Sequence, residues 1–167
     1  MSQITCKVCS RPLLSLESVD RGVGPMCTKH IPYQDLAKIQ RKHVKYWIIE
    51  SYEDISTAYF LKKSGQRKLE SAFFSHLATE KAIKALVAQH TDQIPPKIHD
   101  LIELSKRAEL SLSEEQEQFL SMLNGYEIEG RYPVERQKLL SRTSDQRFEE
   151  ILEKASEFIQ WCTQKIN

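Results

Sequence analysis

Three cysteines and one histidine near the start of the chain have the types and the spacing of zinc ligands. Cys6 and Cys9 form a C-x2-C pair, and after 17 further residues Cys27 and His30 form a C-x2-H pair. Each close pair can hold one edge of a tetrahedral ion, and the loop between them brings the two edges together. Because four protein ligands fill the coordination sphere, we predict a structural zinc ion rather than a catalytic one.

The residues between the two pairs support a metal site. Gly22, Gly24 and Pro25 permit the tight turn that is needed just before Cys27. A segment of about 30 residues has too small a core to fold without added stabilisation, which a metal would supply. Three clustered cysteines also suit a metal better than a disulfide framework. Two alternatives stay open: reduced thiols in a disordered leader, or a different donor in place of His30.

This segment also resembles the short zinc-knuckle modules that read C-x-x-C-x-R-x-L, then S-V, then G-x-G-P-x-C. The resemblance implies metal binding and names no partner. The matching residues are Cys6, Cys9, Arg11, Leu13, Ser18, Val19, Gly22, Gly24, Pro25 and Cys27.

A second set of reactive side chains lies in the apolar stretch LESAFFSHLATEKAIKALVAQ, residues 69–89. At helical spacing, His76, Glu80 and Lys84 form a polar row along a helix that is apolar around most of its circumference. Such a helix is expected to be central and buried, so its polar row must be paired internally or used for a ligand. The order of Glu80 and Lys84 favours an ion pair. The row therefore predicts either a structural ion pair or the lining of a ligand cleft.

Helices are predicted to form most of the chain after the cysteine-rich segment and to position the polar row. The segment 126–143 contains Gly130 and Pro133 and is predicted to be a connection. Cys162 lies on an apolar helix face and is predicted to be a core residue. The predicted helices run from about Gln34 to Lys63 with Gly65 as the C-cap, over 69–89, from His99 to Ala108, from Ser113 to about Gly125, and from a cap at Ser144 or Asp145 to the C-terminal region.

The predicted fold class is all-α: an antiparallel (up-and-down) bundle of four to five helices with a small N-terminal zinc-knuckle module. We place the module at residues 1–32 and the helical bundle at residues 33–167.

Composition narrows the class of protein. The chain is 40% apolar and 28% charged, as is typical of soluble globular proteins. It contains no apolar run of roughly 20 residues and no signal segment, so we expect a cytoplasmic protein with no membrane contact. Residues 1–47 hold eight basic against three acidic residues, whereas the remainder holds 16 against 20. The basic third could meet a polyanion, although a solvated surface explains the asymmetry equally well.

Three segments together resemble the HEPN domain, a family of helical bundles linked to nucleotide and RNA binding. They are FFSHLATEKAIKAL at 73–86, HDLIEL at 99–104 and GRYP at 130–133, and the resemblance covers roughly residues 43–165. It implies an up-and-down bundle, often homodimeric, with a cleft between protomers. Members of this family often occur beside a nucleotidyltransferase-like partner protein in toxin–antitoxin pairs, or in defence and stress systems.

The resemblance carries over a candidate ligand-binding set for an anionic ligand. Arg131 could hold a phosphate bidentately, Tyr132 could stack on a base, and His99 could donate to a phosphate or act as an acid or base. Structural roles remain open as well, with His99 and Asp100 capping a helix and Arg131 paired to Glu80. The full set is Glu80, Lys81, Lys84, His99, Asp100, Arg131 and Tyr132.

This chain lacks one feature of the ribonucleases in the HEPN family. They carry an arginine followed four to six residues later by a histidine, and no arginine stands at that distance before any of the five histidines here. We therefore favour a non-catalytic module that binds a nucleotide, RNA or a partner protein. Two alternatives remain, namely a metal-independent ribonuclease toxin that uses His99 and Arg131, and a purely structural protein-interaction module.

Overall fold

A computed structural model describes residues 41–63, 65, 67–129 and 132–166, and every regular element in these residues is an α-helix. The all-α class is therefore confirmed for this part of the chain. The helices are α1 (Lys42–Lys63), α2 (Lys68–Thr91), α3 (Leu101–Arg107), α4 (Glu114–Glu129), α5 (Pro133–Arg142) and α6 (Asp145–Gln164).

The four long helices alternate in direction along the chain. In the hairpin of α1 and α2, the hydroxyl groups of Ser51 and Ser71 donate to the carbonyl oxygens of Ala78 and Ala58 at 2.6 Å and 2.8 Å. The later residue of α1, Ala58, meets the earlier residue of α2, Ser71, so α1 and α2 are antiparallel. Small side chains at the contact let the two backbones approach closely.

Helix α2 is the central helix of the bundle, as its sequence predicts. It contacts each of the other five helices, and its segment from Ala82 to Ala88 is buried without interruption. An apolar residue on nearly every side is what a helix with neighbours all round requires. Its buried residues are Leu69, Ser71, Ala72, Ser75, His76, Ala78, Thr79, Glu80, Ala82, Ile83, Lys84, Ala85, Leu86, Val87 and Ala88.

Three predicted helix ends are confirmed. Gly65 follows α1 at a φ of 72°, a left-handed conformation that favours glycine. Ser113 and Gln116 form a capping box before α4, in which each side chain bonds the backbone N–H of the other, at 3.2 Å and 2.9 Å. Ser144 caps α6 by accepting from the N–H of Arg147 at 3.1 Å. Of the predicted first helix, residues 34–40 lie outside the described part.

Two predictions about the region after α4 were wrong. Helix α4 does not end at Gly125 but continues to Glu129, because one glycine costs a helix only about 1 kcal/mol and packing outweighs this. The predicted connection forms a further helix, α5, whose first residue is Pro133. Proline is favoured there because the first N–H of a helix needs no partner. The described bundle consequently has six helices rather than four or five.

Helix α6 completes the core with a continuous apolar face. Cys162 is fully buried on this face, and burial raises the pKa of its thiol, which makes it a core residue rather than a reactive one. No helix within the described residues has the length and apolar character needed to cross a membrane.

Candidate functional site

Glu80 is the centre of the polar row in α2. Its carboxylate is 5% exposed, and Oε1 accepts a hydrogen bond from Lys84 Nζ at 2.7 Å. The other oxygen, Oε2, lies 3.1 Å from Nδ1 of His99, which is two residues before the start of α3. Both oxygens of the buried carboxylate are thus engaged, one by the next turn of the same helix and one by a residue 19 positions later.

His99 connects this buried charge to the surface. Its side chain is 60% exposed, although Nδ1 is held against the buried carboxylate. A carboxylate paired with lysine accepts hydrogen bonds but cannot donate them, so Nδ1 of His99 must carry the proton. In the neutral imidazole, the lone pair then lies on Nε2. Nε2 of His99 is therefore an oriented hydrogen-bond acceptor at the surface, and it could also act as a general base.

Asn124 of α4 contacts the buried side of the cluster that His76, Glu80, Lys84 and His99 form. Its Oδ1 accepts from the backbone N–H of Leu101 at 3.0 Å, which identifies this atom as the oxygen. Nε2 of His76 lies 3.3 Å from the same oxygen and therefore donates to it. Asn124 thus ties the start of α3 to the middle of α2.

His76 is a neutral, structural member of the cluster. Burial lowers its pKa, against the opposing effect of the Glu80 charge. With Nε2 as the donor, Nδ1 is an acceptor that faces another acceptor, Glu80 Oε2, at 4.0 Å. This explains why Nδ1 has no hydrogen-bond partner among the described residues.

Trp47 of α1 covers the lysine of the cluster. Lys84 Nζ lies 5.3 Å from the centroid of the Trp47 ring, within the range of a cation–π interaction. The ammonium group is therefore held between a carboxylate and an aromatic face, away from solvent. A lysine in this position stabilises the bundle and is poorly placed to meet a phosphate at the surface.

The remaining predicted residues are placed in different surroundings. Lys81 forms ion pairs with Glu50 and Asp54 of α1 at 3.1 Å and 2.8 Å, so its charge is also neutralised within the protein. Asp100 caps α3, with Oδ1 accepting from the N–H of Glu103 at 2.8 Å. This is the capping role that the sequence left open.

Tyr132 precedes α5 with 61% of its surface exposed. Arg131 lies outside the described residues, and so do the predicted metal ligands Cys6, Cys9, Cys27 and His30. Within the described part of the chain, no group of three or more histidine, cysteine, aspartate or glutamate residues is arranged to hold a metal.

Sequence reasoning missed two members of the cluster. Asn124 lies within a predicted helix, but nothing in its local pattern indicates that it bonds His76 and Leu101. Trp47 lies close in the chain to the predicted apolar face of α1, yet its contact with Lys84 depends on how α1 packs against α2. Both contacts arise from tertiary packing and leave no periodic signal in the sequence.

Comparison with known proteins agrees with this architecture. The model of the HEPN domain family matches residues 44–166. A family of unknown function (DUF6011) matches residues 4–32. No curated protein and no solved structure gives a significant match. Because the HEPN match covers all six described helices and most of the chain, the protein belongs to the HEPN domain family.

Proposed function

We propose that the helical bundle is a non-catalytic module that binds RNA or a ribonucleotide through the exposed edge of His99. The observation that carries this proposal is the 3.1 Å contact between His99 Nδ1 and the buried Glu80 carboxylate, in an imidazole that is 60% exposed. Fixing a surface side chain before the ligand arrives reduces the entropy lost on binding. Membership of the HEPN family supports a nucleotide-related role.

The tautomer of His99 favours ribose over deoxyribose. In the neutral imidazole with its proton on Nδ1, Nε2 accepts hydrogen bonds, and the 2′-hydroxyl of RNA is a donor that DNA lacks. Lys81 and Lys84 are both paired with carboxylates, so in this proposal they contribute little to phosphate binding. Arg131 would supply the phosphate contact, and the exposed ring of Tyr132 would stack on a base.

Replacing His99 with alanine is expected to weaken RNA binding by about tenfold, the effect of losing one oriented hydrogen bond to a ligand. Fluorescence anisotropy with a labelled single-stranded RNA, and with DNA of the same sequence, measures this. Wild-type protein should prefer the RNA, and the variant should lose that preference. His90→Ala is the matched control, because His90 is a similarly exposed histidine that pairs with Glu109 elsewhere. Equal affinities of wild type and His99→Ala for RNA would contradict the proposal.

A second candidate function is a metal-independent ribonuclease, which the same pair of His99 and Glu80 would support. A histidine oriented by a buried carboxylate is suited to take a proton from a 2′-hydroxyl, and Arg131 would stabilise the phosphate charge. The missing arginine–histidine spacing is why we rank it second. Incubation with mixed RNA separates the two functions. Cleavage that is lost in both His99→Ala and Arg131→Ala would establish the ribonuclease, whereas binding without cleavage supports the first proposal.

We further propose that Cys6, Cys9, Cys27 and His30 hold a structural zinc ion, which the ligand spacing supports. Metal analysis of protein purified by gel filtration should give about one zinc per chain. Cys9→Ser should lose the metal, while Cys162→Ser serves as the control because Cys162 is buried in α6. Less than half an equivalent in the wild type would refute this site.

The cellular setting is proposed from family membership alone. We propose a cytoplasmic homodimer that acts with a nucleotidyltransferase-like protein in a toxin–antitoxin or defence system. A purely structural interaction module is the remaining alternative, since the pair of Glu80 and Lys84 is neutral without a ligand. Titration with RNA and nucleotides distinguishes it, because a structural module would give no saturable signal.

A further inference from the structure

A narrow pocket lies between the first two turns of α4 and the second half of α6. Its volume is about 230 Å³, below the roughly 300–1,000 Å³ of pockets for drug-sized ligands, so it suits a small molecule. Phe119 of α4 and Phe158 and Trp161 of α6 line it. No residue of the His99 cluster is among the described lining residues, so the pocket is distinct from the site described above.

Aromatic side chains form the inner wall of this pocket. Phe119 and Phe158 are 7% and 4% exposed, so the packing of the core holds their rings in place. Trp161 is partly buried, and its ring centroid lies 5.3 Å from that of Phe158. The Trp161 ring already attracts one cation of the protein, because Nζ of Lys165 lies 4.4 Å from its centroid. Such a wall can bury methylene groups, and it favours positive over negative charge.

Carboxylates stand on both helices at the mouth of the pocket. Glu115 of α4 and Glu157 of α6 line it, with Lys154 as the one basic residue among the described lining residues. Nζ of Lys154 pairs with Oε1 of Glu115 at 2.6 Å. Within the described part of the chain, no ion pair or hydrogen bond engages the carboxylate of Glu157. The lining therefore carries one negative charge that is not neutralised.

Glu115 can also accept a cation from outside the protein. The side chains of Lys154 and Glu115 are 41% and 77% exposed, and exposed ion pairs contribute little to stability. A carboxylate has about four acceptor positions on its two oxygens, so a second ammonium group can bind Glu115 beside Lys154 or replace it. The pocket thus offers two carboxylates, one on each helix, with an apolar wall between them.

We propose that this pocket binds a linear alkyl diamine, a small polyamine that is doubly protonated at neutral pH as lysine side chains are. One ammonium group pairs with Glu157 and the other with Glu115, and the methylene chain between them lies along Phe119 and Phe158. A quaternary ammonium could use only the aromatic wall, and an anion would meet two carboxylates. The inference goes beyond the RNA proposal, because it assigns a different surface and a ligand of the opposite charge.

The test is an NMR titration of the ¹⁵N-labelled full-length protein at constant ionic strength with putrescine, butylamine, 1,4-butanediol and choline. The indole N–H signal of Trp161 reports on the pocket, and that of Trp47, which packs over Lys84, is the internal reference. We expect putrescine to shift the Trp161 signal saturably and butylamine, which lacks the second ammonium group, to bind about fivefold more weakly. The uncharged butanediol should cause no shift. No saturation by putrescine, equal binding of butanediol, or tighter binding of choline would overturn the proposal.

Variants locate the site and separate it from the RNA proposal. Glu157→Gln should weaken putrescine binding by about fivefold, since it removes a charged partner of one ammonium group. Glu153→Gln is the matched control, because Glu153 is an exposed carboxylate one turn earlier in α6 that does not line the pocket. Glu115 and Glu157 are exposed, so their variants are expected to fold, and their spectra check this directly. His99→Ala should leave the titration unchanged. Undiminished binding in the double variant Glu115→Gln with Glu157→Gln would refute the site.

Discussion

Replacing Glu80 with glutamine is expected to lower the free energy of unfolding by about 3–5 kcal/mol. Lys84 would keep its charge while 6% exposed, facing a neutral amide oxygen and the Trp47 ring in place of a carboxylate. Removing one member of a buried ion pair is costly because the other charge stays in surroundings with little water. Urea denaturation monitored by circular dichroism measures the loss.

Two controls isolate the cause of that loss. Glu103→Gln removes an exposed carboxylate with the same one-turn spacing to its cation, Arg107, and should cost about 0–1 kcal/mol. The double variant Glu80→Gln with Lys84→Met removes both charges and should recover much of the stability lost in Glu80→Gln. If Glu80→Gln cost no more than Glu103→Gln, the buried cluster would not be an important part of the bundle.

Leu139→Ala is expected to cost about 2–5 kcal/mol, the range for leucine truncation in a packed core. Leu139 is 2% exposed and is the one buried residue of α5. Its neighbour Leu140 is 45% exposed, so Leu140→Ala makes the same chemical change outside the core and should cost far less. Thermal and urea unfolding compare the two. Equal, small losses would show that residues 133–142 do not pack as α5.

The central and final helices were predictable because their patterns are strong. Helix α2 is apolar on nearly all sides, and α6 has a continuous apolar face that begins at the Ser144 cap. Helix α5 lacks such a pattern because it buries one residue in ten. Gly130 and Pro133 then favoured a connection. Pro133 is better interpreted as the first residue of a helix, because proline is favoured at that position as well as in connections.

The candidate site was predictable only where its contacts are local. The pair of Glu80 and Lys84 follows from a spacing of four residues in one helix. The contact of His99 with Glu80 spans 19 residues, and that of Asn124 with His76 spans 48, so both depend on packing between helices. Lys81 shows the reverse case. It lies beside Glu80 in the sequence, but the helix turns its side chain to Glu50 and Asp54.

The buried carboxylate of Glu80 fixes the proton of His99 on Nδ1 and leaves Nε2 as an acceptor at the surface. A long-range ¹H–¹⁵N correlation spectrum of the histidine rings, recorded at a pH where the imidazoles are neutral, observes this tautomer directly. We expect the spectrum of His99 to show Nδ1 protonated and Nε2 unprotonated, and in Glu80→Gln this preference should weaken. A spectrum with the proton of His99 on Nε2, or shared between both nitrogens as in a free histidine, would contradict it.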